Sequence, residues 1–150
     1  MVDKSKKLLL IACSNRKIRT KGMLPAIARY DGGTYRVIHK LQRDGRFPLD
    51  VDVVILSAKF GLIDAQTLIP HYDQRLDKKR AAELRPQVLK TLQDIMDRRE
   101  YSEIYLDLGK GYLPALNGFF FPPKIKVTWA SGRIGQRLSH IKHWLLGELQ

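Results

Sequence analysis

Two groups of polar residues follow one apolar run and could do chemistry. In ILSAKFGLIDAQTLIPHYDQRL (55–76), the hydroxyl of Ser57, the cation of Lys59 and Gly61 come directly after the apolar residues, and Tyr72-Asp73 follows about ten residues later. A tyrosine beside a carboxylate can act as a general acid/base pair, or its ring can stack on a base while the carboxylate accepts a hydrogen bond. A turn held by the Asp73 side chain is the alternative.

The pattern of apolar residues predicts the elements that must position these side chains. Runs rich in Val, Ile and Leu, without clean alternation, are typical of strands covered on both faces. Segments with helical spacing lie between them, and Gly32-Gly33 interrupts the first. This alternation predicts one α/β domain over 1–150, with three layers, a mostly parallel sheet of about four to five strands, and helices on both faces. The predicted strands are 7–12, 51–56, 103–108 and 125–129, and the predicted helices lie within 24–45, 77–99 and 135–146.

The residues that follow each predicted strand should share one edge of the sheet, where open parallel sheets bind ligands. The four segments are CSNRK, SAKFGL, GKGY and ASGRIGQR, and each offers a small or hydroxyl residue and a cation. Glycines admit close approach of a ligand, and Lys or Arg can contact phosphate or carboxylate. Polar, glycine-rich loops without a ligand are the alternative. The predicted catalytic residues are Cys13, Ser57, Lys59, Tyr72 and Asp73, and the predicted ligand- or phosphate-binding residues are Ser14, Lys17, Gly61, Lys110, Tyr112, Arg133 and Gln136.

Cys13 is the one cysteine of the chain and closes the first predicted strand. It is either a buried, inert thiol or a nucleophile whose pKa is lowered by Arg16 and Lys17. A lone cysteine excludes an intrachain disulfide and is typical of a reducing cytoplasm. His140 and His143 have no carboxylate or cysteine at metal-ligand spacing, and no Walker A or G-x-G-x-x-G pattern occurs. We therefore predict no metal and no cofactor.

The charge balance points to a polyanionic partner. The net charge is +12, and residues 1–50 carry 12 Lys/Arg against 4 Asp/Glu, a net of +8. Such a balance favours nucleic acid or a nucleotide-like anion, with solubility as the alternative role of the charge. No apolar run approaches the roughly 20 residues of a membrane span, so we predict no membrane partner and a cytoplasmic location. The sequence leaves the oligomeric state open.

The segment 55–76 also resembles the signature of a known family. In the YaaA-like family, which contains a peroxide-stress protein and small bacterial and phage domains, a strand ending in Leu-Ser is followed by an aromatic-Gly-Leu, then a Pro-Tyr element, a polar residue and Leu. His71 separates Pro70 from Tyr72 here, which is a departure from that pattern. A more distant similarity links the Gly-Leu…Tyr-Asp region to a domain of archaeosine synthase, which acts on a modified base in tRNA. The matching residues are Leu56, Ser57, Lys59, Phe60, Gly61, Leu62, Pro70, Tyr72, Asp73 and Leu76.

This resemblance implies nucleic acid or nucleobase chemistry, in agreement with the charge. One hypothesis is an enzyme, a transferase or hydrolase, that acts on a nucleotide, nucleoside or nucleobase, free or within DNA or RNA. A second is a non-catalytic DNA- or RNA-binding module used in stress or defence. A third is a small-molecule-binding protein whose charge is incidental. The sequence leaves open whether the protein is catalytic.

Overall fold

Strands and helices alternate along residues 6–148, which are the part of the chain that the structure, a computed structural model, describes. The predicted α/β class is confirmed. The strands are β1 (Lys6–Ala12), β2 (Leu24–Pro25), β3 (Val51–Ser57), β4 (Gly61–Asp64), β5 (Leu68–Ile69), β6 (Tyr101–Asp107) and β7 (Lys126–Trp129). The helices are α1 (Ala26–Arg29), α2 (Gly33–Arg43), α3 (Lys78–Arg98) and α4 (Ile134–Leu145), with a 3₁₀ helix at Lys110–Leu116.

Five of the strands form a mostly parallel sheet in the order β4-β3-β1-β6-β7. The central strand β1 pairs in parallel with β3 and β6, and β7 pairs in parallel with β6. β1 occupies the centre because the side chains from Leu8 to Ile11 are apolar and at most 1% exposed, which suits a strand covered on both faces. β2 and β5 form a separate antiparallel pair.

Helices cover both faces of the sheet, as predicted. α2 and α4 pack against each other, and side chains from both bond Asp107 at the end of β6. α3 packs with the 3₁₀ helix and β4, beside the face that carries Val54. Asp77 caps α3 by accepting a hydrogen bond from the backbone N–H of Arg80 at 2.8 Å. In this three-layer arrangement, the ends of the sheet strands lie between the ends of the helices on the two faces.

Two segments differ from the predicted elements. The segment 24–45 forms β2 and a single turn of α1 before α2 begins at Gly33, because Tyr30 and Gly32 both adopt extended backbone. The segment after β3 does not lead directly into a helix. It turns back at residues 58–60 to form β4, the one antiparallel strand of the five-stranded sheet. Both differences come from turn geometry, which apolar periodicity does not report.

The turn from β3 to β4 requires a glycine at position 61, and replacing Gly61 by alanine tests this requirement. Gly61→Ala is expected to lower the free energy of unfolding by about 2–3 kcal/mol, measured by urea unfolding. The backbone φ is +76°, and an added Cβ would clash with Oε1 of Gln87. The Gln87 amide would then lose its hydrogen bonds to the N–H and carbonyl of Leu62, at 2.9 and 3.1 Å.

Gly45→Ala is the matched control. Its φ is +68°, but an added Cβ would have no atom within 4 Å, so only the backbone strain of about 1–2 kcal/mol applies. Equal losses at the two positions would contradict the proposed role of the Gln87 contact.

Candidate functional site

A cleft of about 170 Å³ opens at the carboxyl ends of β1 and β6. The chain moves from β1 to β3 on one side and later crosses to β6 on the other, so the strand order reverses between β1 and β6. The segments that leave the two strands diverge there, which creates the crevice where open α/β sheets bind ligands. The residues that line it include Cys13 and Ser14 after β1, Gly33 and Thr34 at the start of α2, and Asp107 and Tyr112 in and after β6.

Asp107 is the carboxylate of this cleft, and two donors hold it in place. Its Oδ1 accepts a hydrogen bond from Nη2 of Arg137 at 2.7 Å, and its Oδ2 accepts one from Oγ1 of Thr34 at 2.8 Å. The Asp107 side chain is 12% exposed, so the ion pair with Arg137 is better shielded from water than a surface pair. An ionised carboxylate offers about four lone-pair directions, and these two bonds use half of them.

The first loop packs closely on the start of α2. A Cβ added at Gly32 would lie 2.9 Å from Cβ of Ser14, so a glycine is needed for this approach. No side chain within residues 6–148 caps α2 at Gly32, and the first residues of α2, Gly33 and Thr34, line the cleft. The Ser14 hydroxyl donates to the carbonyl of Arg16 at 2.6 Å. The predicted ligand residues Ser14 and Tyr112 therefore line one cleft together with Cys13.

A buried cluster of three hydroxyl groups lies close to Cys13. Tyr30 Oη donates to Ser57 Oγ at 3.0 Å, and Tyr72 Oη lies 2.5 Å from Tyr30 Oη and 3.1 Å from Ser57 Oγ. Tyr30 and Ser57 are fully buried, and Tyr72 is 6% exposed. Ser57 Oγ also accepts from the backbone N–H groups of Lys59 and Phe60, so it holds the turn into β4. Ser57 thus positions Tyr72 from behind the cleft.

The ring of Tyr72 packs against other side chains of this protein, and Tyr72 is 6% exposed. Nζ of Lys17 lies 4.6 Å from its ring centroid, and Phe60 and Tyr30 pack against it in edge-on geometry. This packing disfavours Tyr72 as a base-stacking ring, because little of the ring is accessible to a ligand. Burial raises the pKa of its hydroxyl to about 12. The neutral hydroxyl is thus the form present at neutral pH.

Burial also shifts the pKa of the Cys13 thiol and the pKa of the Lys17 ammonium, which lie beside this cluster. It raises the pKa of the Cys13 thiol above its usual value, and the backbone of Ala58, the Tyr72 hydroxyl and the Lys17 charge oppose this only in part. The Lys17 charge does lower the Cys13 pKa, as the sequence suggested, but burial outweighs it and the net shift is upward. Burial lowers the pKa of Lys17, against the opposing charges of Cys13 and Asp73. Burial thus favours the neutral form of each group, and a Lys17 ammonium that loses its proton more easily can act as a general acid.

The remaining predicted residues lie apart from the cleft walls. Lys59 and Asp73 are exposed, as are Lys110 and Arg133. Gly61 is covered by Gln87 and serves the β4 turn, and its role as a ligand-binding residue stays a prediction. The Gln136 side chain accepts from the backbone N–H of Arg133 at 2.9 Å and thereby caps α4.

A model of one protein family matches residues 8–143, and its description is a family of unknown function, DUF6884. The chain belongs to this family. Among curated proteins, none matches the sequence significantly. The chain is also similar to the crystal structure of AF0587, described as a protein of unknown function, with a TM-score of 0.51 and 12% identity over 94% of this chain. The match spans 44% of the AF0587 chain, and at this identity it shows a likeness of fold alone.

Four polar or aromatic residues that line the cleft were not predicted from the sequence. They are Thr34, Tyr35, Asp107 and Arg137. Asp107 ends β6 in YLDLGKGY, where a carboxylate next to a glycine-rich turn is the signal that could have found it. The residues predicted after each strand were cations and small or hydroxyl residues, and Asp107 is an anion. Thr34 and Arg137 belong to helices from distant parts of the sequence, and their contact with Asp107 depends on the packing of α2 and α4.

A wider depression of about 770 Å³ lies at the opposite edge of the sheet, near the amino ends of β3 and β6. Its carboxylate, Asp52, already accepts hydrogen bonds from Lys6 at 3.1 Å and Tyr101 at 2.7 Å. Burial alone would raise the pKa of Asp52, but these bonds outweigh it and lower the pKa. Because the strand order reverses at the smaller cleft and not at this depression, we place the site at the smaller cleft.

Two further properties concern residues 6–148. Over this range, no group of three or more His, Cys, Asp or Glu side chains is arranged to hold a metal ion. His140 instead bonds Tyr105 at 2.6 Å, and His143 bonds Glu148 at 2.8 Å. None of the helices described for these residues is long and apolar enough to cross a lipid bilayer.

Proposed function

We propose that this DUF6884 protein is an enzyme that acts on a nucleotide, nucleoside or nucleobase, free or within DNA or RNA. The observation that carries the proposal is the cleft at the strand-order reversal, which brings together a thiol, a carboxylate and the uncapped start of α2. Thiols and carboxylates serve as nucleophiles and as general acids and bases in group-transfer and hydrolysis reactions. A transfer or hydrolysis at a glycosidic or base-modifying centre is the reaction class that these groups fit.

The residues divide into reacting and positioning groups. Cys13 and Asp107 line the cleft and can touch a ligand. Lys17 lies behind Cys13, where its charge favours the thiolate form during reaction. Ser57, Tyr30 and Tyr72 hold the Cys13 side of the cleft through their hydroxyl cluster. The +12 net charge and the resemblance of residues 56–76 to the YaaA-like family both support a ligand of the nucleic acid class.

An activity assay tests this function without knowledge of the substrate. The protein is incubated with the common nucleosides, nucleotides, and single-stranded DNA and RNA oligonucleotides that contain every base, and mass spectrometry reports base release or mass change. We expect a time-dependent product with the wild type, a loss of at least about 100-fold with Cys13→Ser, and a smaller loss with Lys17→Ala. Lys40→Ala is the matched control, since Lys40 lies on α2 outside the cleft and pairs with Asp44 at 3.5 Å. No product and no binding with the wild type across the whole panel would overturn the proposal.

A non-catalytic DNA- or RNA-binding module is the second candidate. The observation that favours it is a set of exposed cations around the carboxyl edge of the sheet, including Arg16, Lys110 and Arg133. A titration with single-stranded DNA then shows log K falling linearly with log salt, at about −0.7 per phosphate contact. In this case Cys13→Ser leaves binding unchanged, which separates the module from the enzyme.

A further inference from the structure

We infer that the cleft receives a nucleobase through its N–H donor edge, with Asp107 as the specificity-determining residue and the phosphate and sugar outside. This inference rests on the proposed function and narrows its ligand. Asp107 is absent from the residues that the sequence predicted, and its environment sets what a ligand must offer. Three features of the cleft lead to this assignment.

The first feature is the size of the cleft. Its volume is about 170 Å³, whereas pockets that enclose ligands of drug size measure roughly 300–1,000 Å³. A single ring system fits this volume, and a whole nucleotide does not. Gly32, Gly33 and Gly109 line it, and the side chains of Ser14, Leu138 and Tyr112 pack on these glycines in turn. The volume is therefore what limits the ligand to a single ring system.

The second feature is the acceptor character of the cleft. Asp107 already holds Thr34 and Arg137, and its remaining lone pairs are open to donors. A fixed carboxylate favours a base edge that presents an amino group, with or without a neighbouring ring N–H. Adenine, cytosine and guanine have such an edge. Uracil and thymine present one ring N–H between two carbonyl oxygens, which the carboxylate repels.

The third feature is the distribution of cations. Arg137 is the cation that lines the cleft, and it is paired with Asp107 at 2.7 Å. A phosphate inside the cleft would face a carboxylate without a free cation, which disfavours it electrostatically. Lys110 and Arg133 are exposed outside the cleft, where they can meet phosphates attached to the base. The charge pattern thus orients the ligand with its base inward.

Ligand-observed NMR with adenosine, cytidine, guanosine, uridine, ribose 5-phosphate and inorganic phosphate tests the inference, because the sugar blocks N1 of the pyrimidines and leaves only the outer base edge free. We expect adenosine, cytidine and guanosine to bind the wild type more tightly than uridine, and the two phosphates to bind outside the cleft without competing with the nucleosides. Asp107→Asn should lower the affinity ratio of cytidine to uridine roughly tenfold, because the amide presents a donor as well as an acceptor. This ratio does not depend on the fraction of folded protein. Asp94→Asn, on exposed α3 at the other face, is the matched control and should leave the ratio unchanged.

The possible outcomes distinguish a failure of this inference from a failure of the proposed function. Competition between ribose 5-phosphate and the nucleosides, or an unchanged ratio in Asp107→Asn, would overturn the inference while the proposed function stands. Binding of none of the nucleosides, nucleotides or oligonucleotides by the wild type would overturn both.

Discussion

Replacing Arg29 by alanine is expected to lower the free energy of unfolding by about 3 kcal/mol, because this cation ties a long loop to the core. Arg29 is fully buried. Its Nη1 donates to the carbonyls of Ile18 and Thr20 at 2.8 and 2.9 Å, and its Nη2 donates to those of Gly22 and Ile69 at 2.6 and 3.3 Å. Hydrogen bonds from a charged donor contribute about 1.5–3 kcal/mol each, but water can reach part of the loop carbonyls once the guanidinium is gone.

Chemical and thermal unfolding check this expectation. A loss of about 3 kcal/mol corresponds to a fall in Tm of roughly 6–12 °C for a chain of this size. Arg29→Lys should recover little of it, because a compact ammonium cannot reproduce the planar fork that serves four carbonyls. Arg36→Ala is the control, since Arg36 has an exposed side chain and pairs with Asp31 at the surface, and we expect a loss under about 1 kcal/mol. An Arg29→Ala variant as stable as the Arg36→Ala variant would contradict the assignment.

The same substitution should weaken the site, because the loop that Arg29 holds begins with Cys13, Ser14 and Lys17. Hydrogen exchange of residues 13–22 should rise in Arg29→Ala below the temperature of global unfolding. If the exchange rise extends evenly over the whole chain instead, Arg29 stabilises the fold as a whole and not this loop.

Ser57→Ala is expected to cost about 2 kcal/mol of stability, since the Ser57 hydroxyl is central to a buried network and does not reach the cleft. Its loss leaves the backbone N–H groups of Lys59 and Phe60 without their acceptor and removes one partner from each tyrosine. The two tyrosine hydroxyls keep each other, which limits the effect. Ser102→Ala is the matched control, because the Ser102 hydroxyl lies on β6 and makes one long bond, 3.4 Å, to the carbonyl of Lys6.

Urea unfolding and the product assay together separate a positioning role from a chemical one. If Ser57 were the nucleophile, Ser57→Ala would retain stability and lose all activity. If it positions Tyr72, stability falls first, and the activity that remains keeps the substrate preference of the wild type. Stability that is equal in Ser57→Ala and Ser102→Ala, with activity abolished only in Ser57→Ala, would contradict the positioning role.

The alkaline limit of stability depends on the same cluster. Burial raises the pKa of Tyr72 to about 12 and the pKa of Tyr30 above its usual value. A raised folded-state pKa means that the stabilisation is fully present below the unfolded pKa of about 10 and is lost as the pH rises towards the folded value. The unfolding free energy should therefore fall between about pH 10 and pH 12, and the fall should be smaller in Tyr72→Phe.

Much of the fold follows from local patterns. Apolar runs without alternation, such as Leu8 to Ile11, can be stable only with cover on both faces, and that condition already requires a parallel sheet between helices. The glycine pair at 32–33 and the cap at Asp77 are local signals, and both mark helix starts in the structure. The strand order and the antiparallel β4 were not predictable in this way, because they depend on a hairpin turn at 58–60 and on long-range pairing.

The sequence by itself determined that the chain is a basic α/β domain. It also placed residues capable of catalysis or binding at the ends of the strands. Cys13 and Ser14 were found because the end of a strand is a local property. Only the tertiary structure decided which of those residues share a cleft. Ser57 and Tyr72 are buried behind the cleft. The packing of α2 against α4 places Thr34 and Arg137 in contact with Asp107. Contacts between residues 30 to 73 positions apart are set by the free energy of the whole packed core, which no short stretch of sequence encodes.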